Sequence, residues 1–247
     1  MAVRVVITGA SSGIGEALAR YYAARGAVLG LICRRPVPVS SGASYPVDVT
    51  DESALAGAAR DFIQRFGVPD LVIANAGIST GTSGVEHGDL PKLKKVLEVN
   101  VAGLAATFAA FAPAMREAGR GTLAGIASVA GLRGLAGNGA YCASKSAAIT
   151  WIESLRVELY GSGVSVVCVC PGYIDTPMTR VNRFRMPFLI TADDAARRIA
   201  RAIENRRRLA VIPWQMALVA VALRAMPGWL YDRIASRAPR KPRDVPI

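Results

Sequence analysis

The sequence predicts a doubly wound α/β domain: a parallel sheet of seven strands with helices on both faces, followed by a C-terminal helical extension. Three observations carry that prediction. Short β-branched runs alternate with alanine-rich stretches along almost the whole chain. Those runs are apolar at consecutive positions, as strands covered on both faces must be. No linker rich in Pro, Gly or Ser and no internal repeat breaks the alternation, so residues 1–212 read as one domain and 213–247 as its extension.

Residues 4–8 read as the first strand and 13–25 as the helix that follows. Strands are expected at 28–33 and 44–47, a helix over 52–65, and a fourth strand at 71–74. A glycine-rich loop then leads into helices reaching residue 115. The fifth strand is expected at 121–127, a long helix at 140–160 and the sixth strand at 164–170. A helix from residue 192 and a strand at 209–212 complete the alternation. Right-handed crossovers make such a sheet doubly wound and place ligands at the carboxyl ends of its strands.

At 247 residues and 52% hydrophobic, the chain is long and apolar enough to bury a large core, which excludes general disorder. The net charge of +12 suggests a polyanionic partner until it is divided along the chain. Residues 1–179 carry 15 basic and 13 acidic side chains, whereas 180–247 carry 15 and 5. The body is close to neutral, no helix-turn-helix or zinc spacing is present, and a nucleic-acid partner is not expected. Cys33, Cys142, Cys168 and Cys170 lack metal-ligand spacing and read as buried thiols of a reducing cytoplasm, so no metal is expected. Cys168 and Cys170, two apart in an apolar run, belong on one face of a strand. His87 reads as an exposed loop residue. The N-terminus has none of the regions of a signal peptide. The uncharged window at 209–223 holds 15 residues, against roughly 18 needed to span a bilayer.

The first strand runs into Thr8-Gly9-Ala10-Ser11-Ser12-Gly13-Ile14-Gly15. A turn with so few Cβ atoms, opening a helix, lets backbone N–H groups face a pyrophosphate. Further motifs follow in order: Asn75-Ala76-Gly77 after the fourth strand, Ser128 after the fifth, Tyr141-Cys142-Ala143-Ser144-Lys145 on the long helix, and Pro171-Gly172 after the sixth strand. Tyr141 and Lys145, four apart, share one helix face. A phenol titrates near ~10, too high for proton transfer at neutral pH, and a neighbouring ammonium is expected to lower it.

Together these motifs resemble the short-chain dehydrogenase/reductase family, in its subtype with a T-G-x-x-x-G-x-G loop, over residues 3–212. The resemblance implies a Rossmann-type dinucleotide-binding catalytic domain over 1–212. It implies that Tyr141 exchanges a proton with the carbonyl oxygen, that Ser128 hydrogen-bonds that oxygen, that Asn100 holds a water against the lysine, and that Lys145 also reaches the nicotinamide ribose. Gly9, Ser11, Ser12, Gly13, Ile14 and Gly15 are then cofactor-binding. So are Asp48 and Val49 beside the adenine, the Asn75, Ala76 and Gly77 loop, Pro171, Gly172, and Thr176 at the carboxamide. An NAD-binding unit places Asp or Glu about 20 residues past the glycine loop, to bond the ribose 2′-hydroxyl. Cys33 stands there, followed by Arg34 and Arg35, whose guanidinium forks suit a 2′-phosphate, so NADPH (NADP+) is the expected cofactor.

On the substrate side, Val129, Leu132 and Leu135 leave Arg133 as the only charge between Ser128 and Tyr141. Tyr173, Met178, Phe184, Met186, Phe188 and Leu189 form an expected mobile lid, with Arg180, Arg183 and Arg185 either solvated or facing an anionic group. An apolar pocket favours a lipophilic ketone. Thr191 with Asp193 and Asp194 reads as a helix cap. Beyond residue 212, two apolar segments begin at Trp214 and Trp229 between arginines. They suit either an anionic membrane surface, through 213–236, or packing on the body or a partner subunit. Residues 237–247 read as a disordered tail. The leading function is an NADPH-dependent oxidoreductase that reduces a ketone, reversibly from a secondary alcohol, cytoplasmic or peripheral at the inner membrane surface, and by resemblance a homo-oligomer (dimer or tetramer). The alternatives are a 3-oxoacyl or 3-ketosphingoid reductase, or a non-catalytic membrane-surface nucleotide-binding module.

Overall fold

In the computed structural model, which describes residues 2–243, the β-branched runs become β1 (Arg4–Thr8), β2 (Val28–Cys33), β3 (Gly42–Pro46), β4 (Leu71–Ala74), β5 (Gly121–Ile126) and β6 (Val164–Pro171). Short β7 (Ile174–Asp175) and β8 (Ile190–Thr191) follow, and β9 (Leu209–Ile212) is last. Seven of them form one parallel sheet in the order β3-β2-β1-β4-β5-β6-β9. The order reverses between β1 and β4, opening a crevice above their carboxyl ends.

The alanine-rich stretches become α1 (Gly13–Ala23), α2 (Glu52–Phe66), α3 (Leu90–Leu97), α4 (Gly103–Glu117) and α5 (Gly139–Glu158). They are followed by α6 (Pro177–Arg180), α7 (Ala192–Glu204), α8 (Gln215–Ala225) and α9 (Gly228–Ala235). Alternation along each strand divides the apolar side chains between two cores. Val5, Ile7, Val167 and Val169 face α1 and α7, while Val6, Val72, Val166, Cys168 and Cys170 face α2, α4 and α5. Phe62, Phe108 and Phe111 are fully buried in the second core, each contributing about 1.5–3 kcal/mol. Gly30 lies under the Phe62 ring, which a Cβ there would approach to 2.8 Å. All four cysteines are free and buried, and His87 is exposed. The run Leu90–Glu117 is long and apolar enough to cross a bilayer by composition, but its Phe108, Phe111 and Met115 pack in this core.

Three features depart from the expected pattern. A π-helical turn, Glu98–Ala102, joins α3 to α4. The pair β7–β8 ties together the two ends of the segment expected to be a mobile lid. Thirdly, the expected disordered tail is seated over 237–243: Gly81 N–H donates to Pro242 O at 3.1 Å, and Arg243 pairs with Asp89 at 3.1 Å. These polar contacts offset the ordering cost that composition alone suggested would go unmet. Residues 244–247 of that tail, and Met1, lie outside the described residues. The Thr191 cap forms as its sequence suggests, accepting the Asp194 N–H at 3.1 Å.

Candidate active site

Thr8 fastens the end of β1 to the loop after β4. Its Oγ1 accepts the N–H groups of both Asn75 and Ala76 at 3.1 Å, and Asn75 Nδ2 donates to the carbonyls of Thr8 (3.0 Å) and Gly9 (3.3 Å). The turn requires glycine. Gly9 has φ of 67° and Gly13 of 59°, and a Cβ on Gly9 would lie 2.8 Å from Ala76 Cα. A Cβ on Gly15 would lie 2.2 Å from the Gly9 carbonyl oxygen. Ser12 makes no side-chain cap on α1, so the first-turn amides stay open toward the cleft it lines.

That cleft gathers most of the predicted residues. Gly9, Ser11, Ser12, Gly13, Ile14, Arg34, Asp48, Val49, Asn75, Ala76, Gly77, Ser128, Tyr141, Lys145, Pro171, Gly172 and Thr176 line it. Gly15, Arg35 and Asn100 do not. Gly15 is packed inside the turn, and Arg35 is exposed, with its carbonyl accepting the Cys33 thiol at 3.0 Å. Asn100 sits behind the wall in the π-helical turn with zero exposure. Its Oδ1 accepts the Ile78 N–H at 2.8 Å, and its Nδ2 donates to Ile78 O at 2.9 Å and to Ser144 Oγ at 3.0 Å.

The Asn100 bonds to Ile78 hold the Gly77 end of its loop against Lys145, whose Nζ is 3.5 Å from where a Gly77 Cβ would stand. Lys145 is itself buried and donates to Ile126 O at 2.8 Å. Burial pushes its ammonium down to about 8. Burial also pushes the Tyr141 phenol up to about 12, against the lowering effect of its hydrogen-bonding contact with the Ser128 side chain. The expected lowering of the phenol by Lys145 is therefore not what this arrangement does. The ammonium lies 5.7 Å from the ring centroid and donates to Ile126 O, while desolvation opposes charge on both groups. Ser128 accepts the Ala130 N–H at 3.2 Å and donates to Pro171 O at 3.4 Å. These bonds aim it from the end of β5 across to the end of β6.

At the other end, burial works against ionisation of Asp48. Bonds from the Thr50 N–H (3.0 Å) and Oγ1 (2.9 Å) outweigh it, helped by Lys95 and Arg34, and hold the carboxyl below its usual range. Met178 of the expected lid lines the cleft, and so does Lys95, which sits in no motif and was missed by sequence reasoning. Thr8 heads the glycine run, but nothing in its own spacing marks its bridging role. Arg180 pairs with Asp175 at 2.7 Å instead of facing the cleft alone.

Residues 3–186 match the family described as short chain dehydrogenase. An uncharacterized oxidoreductase of Myxococcus xanthus is 38% identical over 243 residues, 94% of this chain and 96% of that protein. The ketoacyl reductase HetN of a Nostoc species is 31% identical over 217 residues, 82% and 75% of the two chains. A short chain dehydrogenase from Burkholderia cenocepacia, solved in complex with NADP, superposes with a TM-score of 0.83 at 27% identity, covering 94% of this chain and 97% of that one. With its seven-stranded doubly wound sheet, and the Gly9, Asn75, Ser128 and Tyr141 motifs on one cleft, the chain belongs to the short-chain dehydrogenase family of oxidoreductases.

Proposed function

We propose that this protein is an NADPH-dependent reductase of lipophilic ketones, reversible from secondary alcohols. Residues 1–212 serve as the dinucleotide-binding catalytic domain and 213–247 as an extension of the same domain. The observation that carries the reading is that Ser128, Tyr141 and Lys145 share one cleft with the glycine turn after β1. The turn suits a dinucleotide: its close approach excludes Cβ atoms, and the uncapped α1 amides offer donors to a pyrophosphate. Arg34 on the rim, Ser11 nearby and Cys33 in place of a carboxylate suit a 2′-phosphate. Arg35, outside the cleft, contributes charge only.

When bound, the nicotinamide supplies the hydride. Tyr141, kept protonated by burial, gives its proton to the ketone oxygen, and Ser128 Oγ hydrogen-bonds the same oxygen. Lys145 holds positive charge behind them, and Asn100 fixes the Gly77 and Ile78 backbone in front of it. Asp48, Val49, the Asn75 loop, Pro171, Gly172 and Thr176 would hold the rest of the cofactor.

Within this reading, the naming of the Nostoc relative as a ketoacyl reductase and the aromatic Tyr173 and Phe184 pair on the segment after Gly172 support a narrower one, a 3-oxoacyl or 3-ketosphingoid reductase. The exposed Trp214 and Trp229 between exposed arginines support work at an anionic membrane surface, while a cytoplasmic location and a dimer or tetramer rest on the family resemblance. The deciding experiment follows NADPH and NADH oxidation over ketones, acyl thioesters and sphingoid ketones. Turnover with NADPH that vanishes in Tyr141→Phe, with cofactor binding intact, is expected. Retention of more than about a tenth of wild-type kcat/KM in that variant overturns the assignment and favours a non-catalytic nucleotide-binding module.

A further inference from the structure

Beyond α9 the chain turns back as a strap over the loops that flank the cleft. Gly81 N–H donates to Pro242 O at 3.1 Å, and Lys92 Nζ donates to Arg243 O at 3.1 Å. Arg243 pairs with Asp89 at 3.1 Å and reaches Glu86 at 3.9 Å. Two glycines make room for it. A Cβ on Gly81 would lie 2.4 Å from Lys241 O, and one on Gly137 would lie 2.7 Å from Arg240 Cβ. The strap is thus seated on backbone, against the loop after β4 and the loop that leads into Tyr141.

Within the strap Lys241 turns inward. Its Nζ donates to Ser79 Oγ at 2.8 Å and to Met178 O at 3.5 Å. Met178 lines the same cleft as Ser128 and Tyr141, and buried Ser79 follows directly on Gly77 and Ile78, which also line it. Lys241 does not itself line the cleft but stands directly behind Met178 and Ser79. Gly77 is packed beside Lys145, and two residues of chain span at most about 7 Å, so the ammonium is adjacent to the catalytic end. Both of its protein acceptors are neutral, and no carboxylate among the described residues pairs with it. An ammonium has three N–H donors, so one remains for a ligand. Burial pushes this group down to about 8, which leaves it charged at neutral pH and short of a counter-charge.

We propose that Lys241 is a specificity-determining residue: the strap places its ammonium beside an apolar pocket, where it selects ketones that also carry a carboxylate. A single ammonium with one open donor can pair with one oxygen of a carboxylate, the smallest anionic group a lipophilic ketone can carry. The inference rests on the ketone-reductase reading and names its substrate class as lipophilic keto acids.

The test compares 6-oxoheptanoate with its methyl ester, which share carbonyl and chain, as substrates of the full chain with NADPH. The wild type is expected to favour the acid. Lys241→Met raises KM for the acid about tenfold or more, with kcat and both ester parameters unchanged, and Lys241→Arg restores the acid preference. Equal losses on acid and ester, or no loss, overturn the proposal. Calorimetric titration of heptanoate into the NADP+-loaded wild type and Lys241→Met separates it from the reading beneath. If no ketone turns over, the reductase reading fails. Heptanoate binding that is lost with Lys241→Met still upholds the anion site, and binding that is absent or unchanged in the variant overturns it.

Discussion

Arg133 lies over the ring of Tyr231, its Cζ 4.0 Å from the ring centroid, and its guanidinium donates to the carbonyls of Leu223 and Met226 where α8 ends. Tyr231 in turn donates its hydroxyl to Gly134 O. The only charge between Ser128 and Tyr141 therefore pins the C-terminal extension to the substrate-side loop. Charged donors on backbone carbonyls contribute about 1.5–3 kcal/mol. Arg133→Ala is expected to lower Tm by about 4–8 °C, and Arg133→Lys to recover little of it because an ammonium lacks the planar face that lies over the Tyr231 ring. Differential scanning calorimetry with unchanged Tm would show that α8 is held without this contact.

Lys145 makes a prediction with opposite signs for activity and stability. Folding lowers the Lys145 ammonium to about 8 from the ordinary 10.5. Below pH 8 the folded chain carries a buried charge that the unfolded chain keeps in water, a cost of up to about 3 kcal/mol. Between 8 and 10.5 the unfolded state binds more protons, so wild-type stability rises with pH. Lys145→Met is expected to abolish turnover yet raise Tm by several degrees at pH 7, the lost bond to Ile126 O taking back part of the gain. That advantage should shrink by pH 10. Thermal denaturation across this range checks it, and a Tm advantage constant with pH would contradict it.

The cofactor end is tested at Arg34. Arg34→Ala is expected to raise KM for NADPH about tenfold or more while leaving NADH unchanged, as loss of a charged donor to a phosphate implies. Arg35→Ala should do less, because Arg35 does not line the cleft. Cys33→Asp combined with Arg34→Ala restores a carboxylate at the end of β2 and should turn the preference to NADH. Wild-type efficiency with NADH equal to that with NADPH would refute the reading.

These residues also show where sequence reasoning reaches and where it stops. The strands were legible because burial on both faces writes consecutive apolar residues, and Tyr141 with Lys145 because helical spacing is local. The glycine turn was legible because positive φ and close approach leave few alternatives to glycine. Arg133 meets Met226 across 93 positions, and Lys241 meets Ser79 across 162. No periodicity or local spacing encodes such a pairing, so the first read as substrate lining and the second as disordered tail. The Tyr141 phenol was misjudged for a related reason: four-residue spacing fixes a shared face, but desolvation by distant segments sets the balance of charge.

The C-terminal extension buries one face and leaves the other open. Met216 and Ala220 are buried, with Met216 Cγ only 2.6 Å from where a Gly172 Cβ would stand, so α8 packs on the loop after β6. Its outer side exposes Trp214 at 64%, Leu218 at 63% and Val221 at 68%, and α9 adds Trp229 at 71%. Arg224, Arg233 and Arg237 stand exposed around them. Apolar anchors ringed by cations match an anionic lipid surface, where each cation contributes about 1 kcal/mol. The full chain is therefore expected to float with phosphatidylglycerol vesicles and not with phosphatidylcholine ones, and to be released by salt. Trp214→Ser with Trp229→Ser should abolish flotation while turnover on a soluble ketone persists, because neither tryptophan lines the cleft. Flotation indifferent to anionic lipid would instead assign this face to a partner subunit, which light scattering of the same double variant would reveal as a smaller assembly.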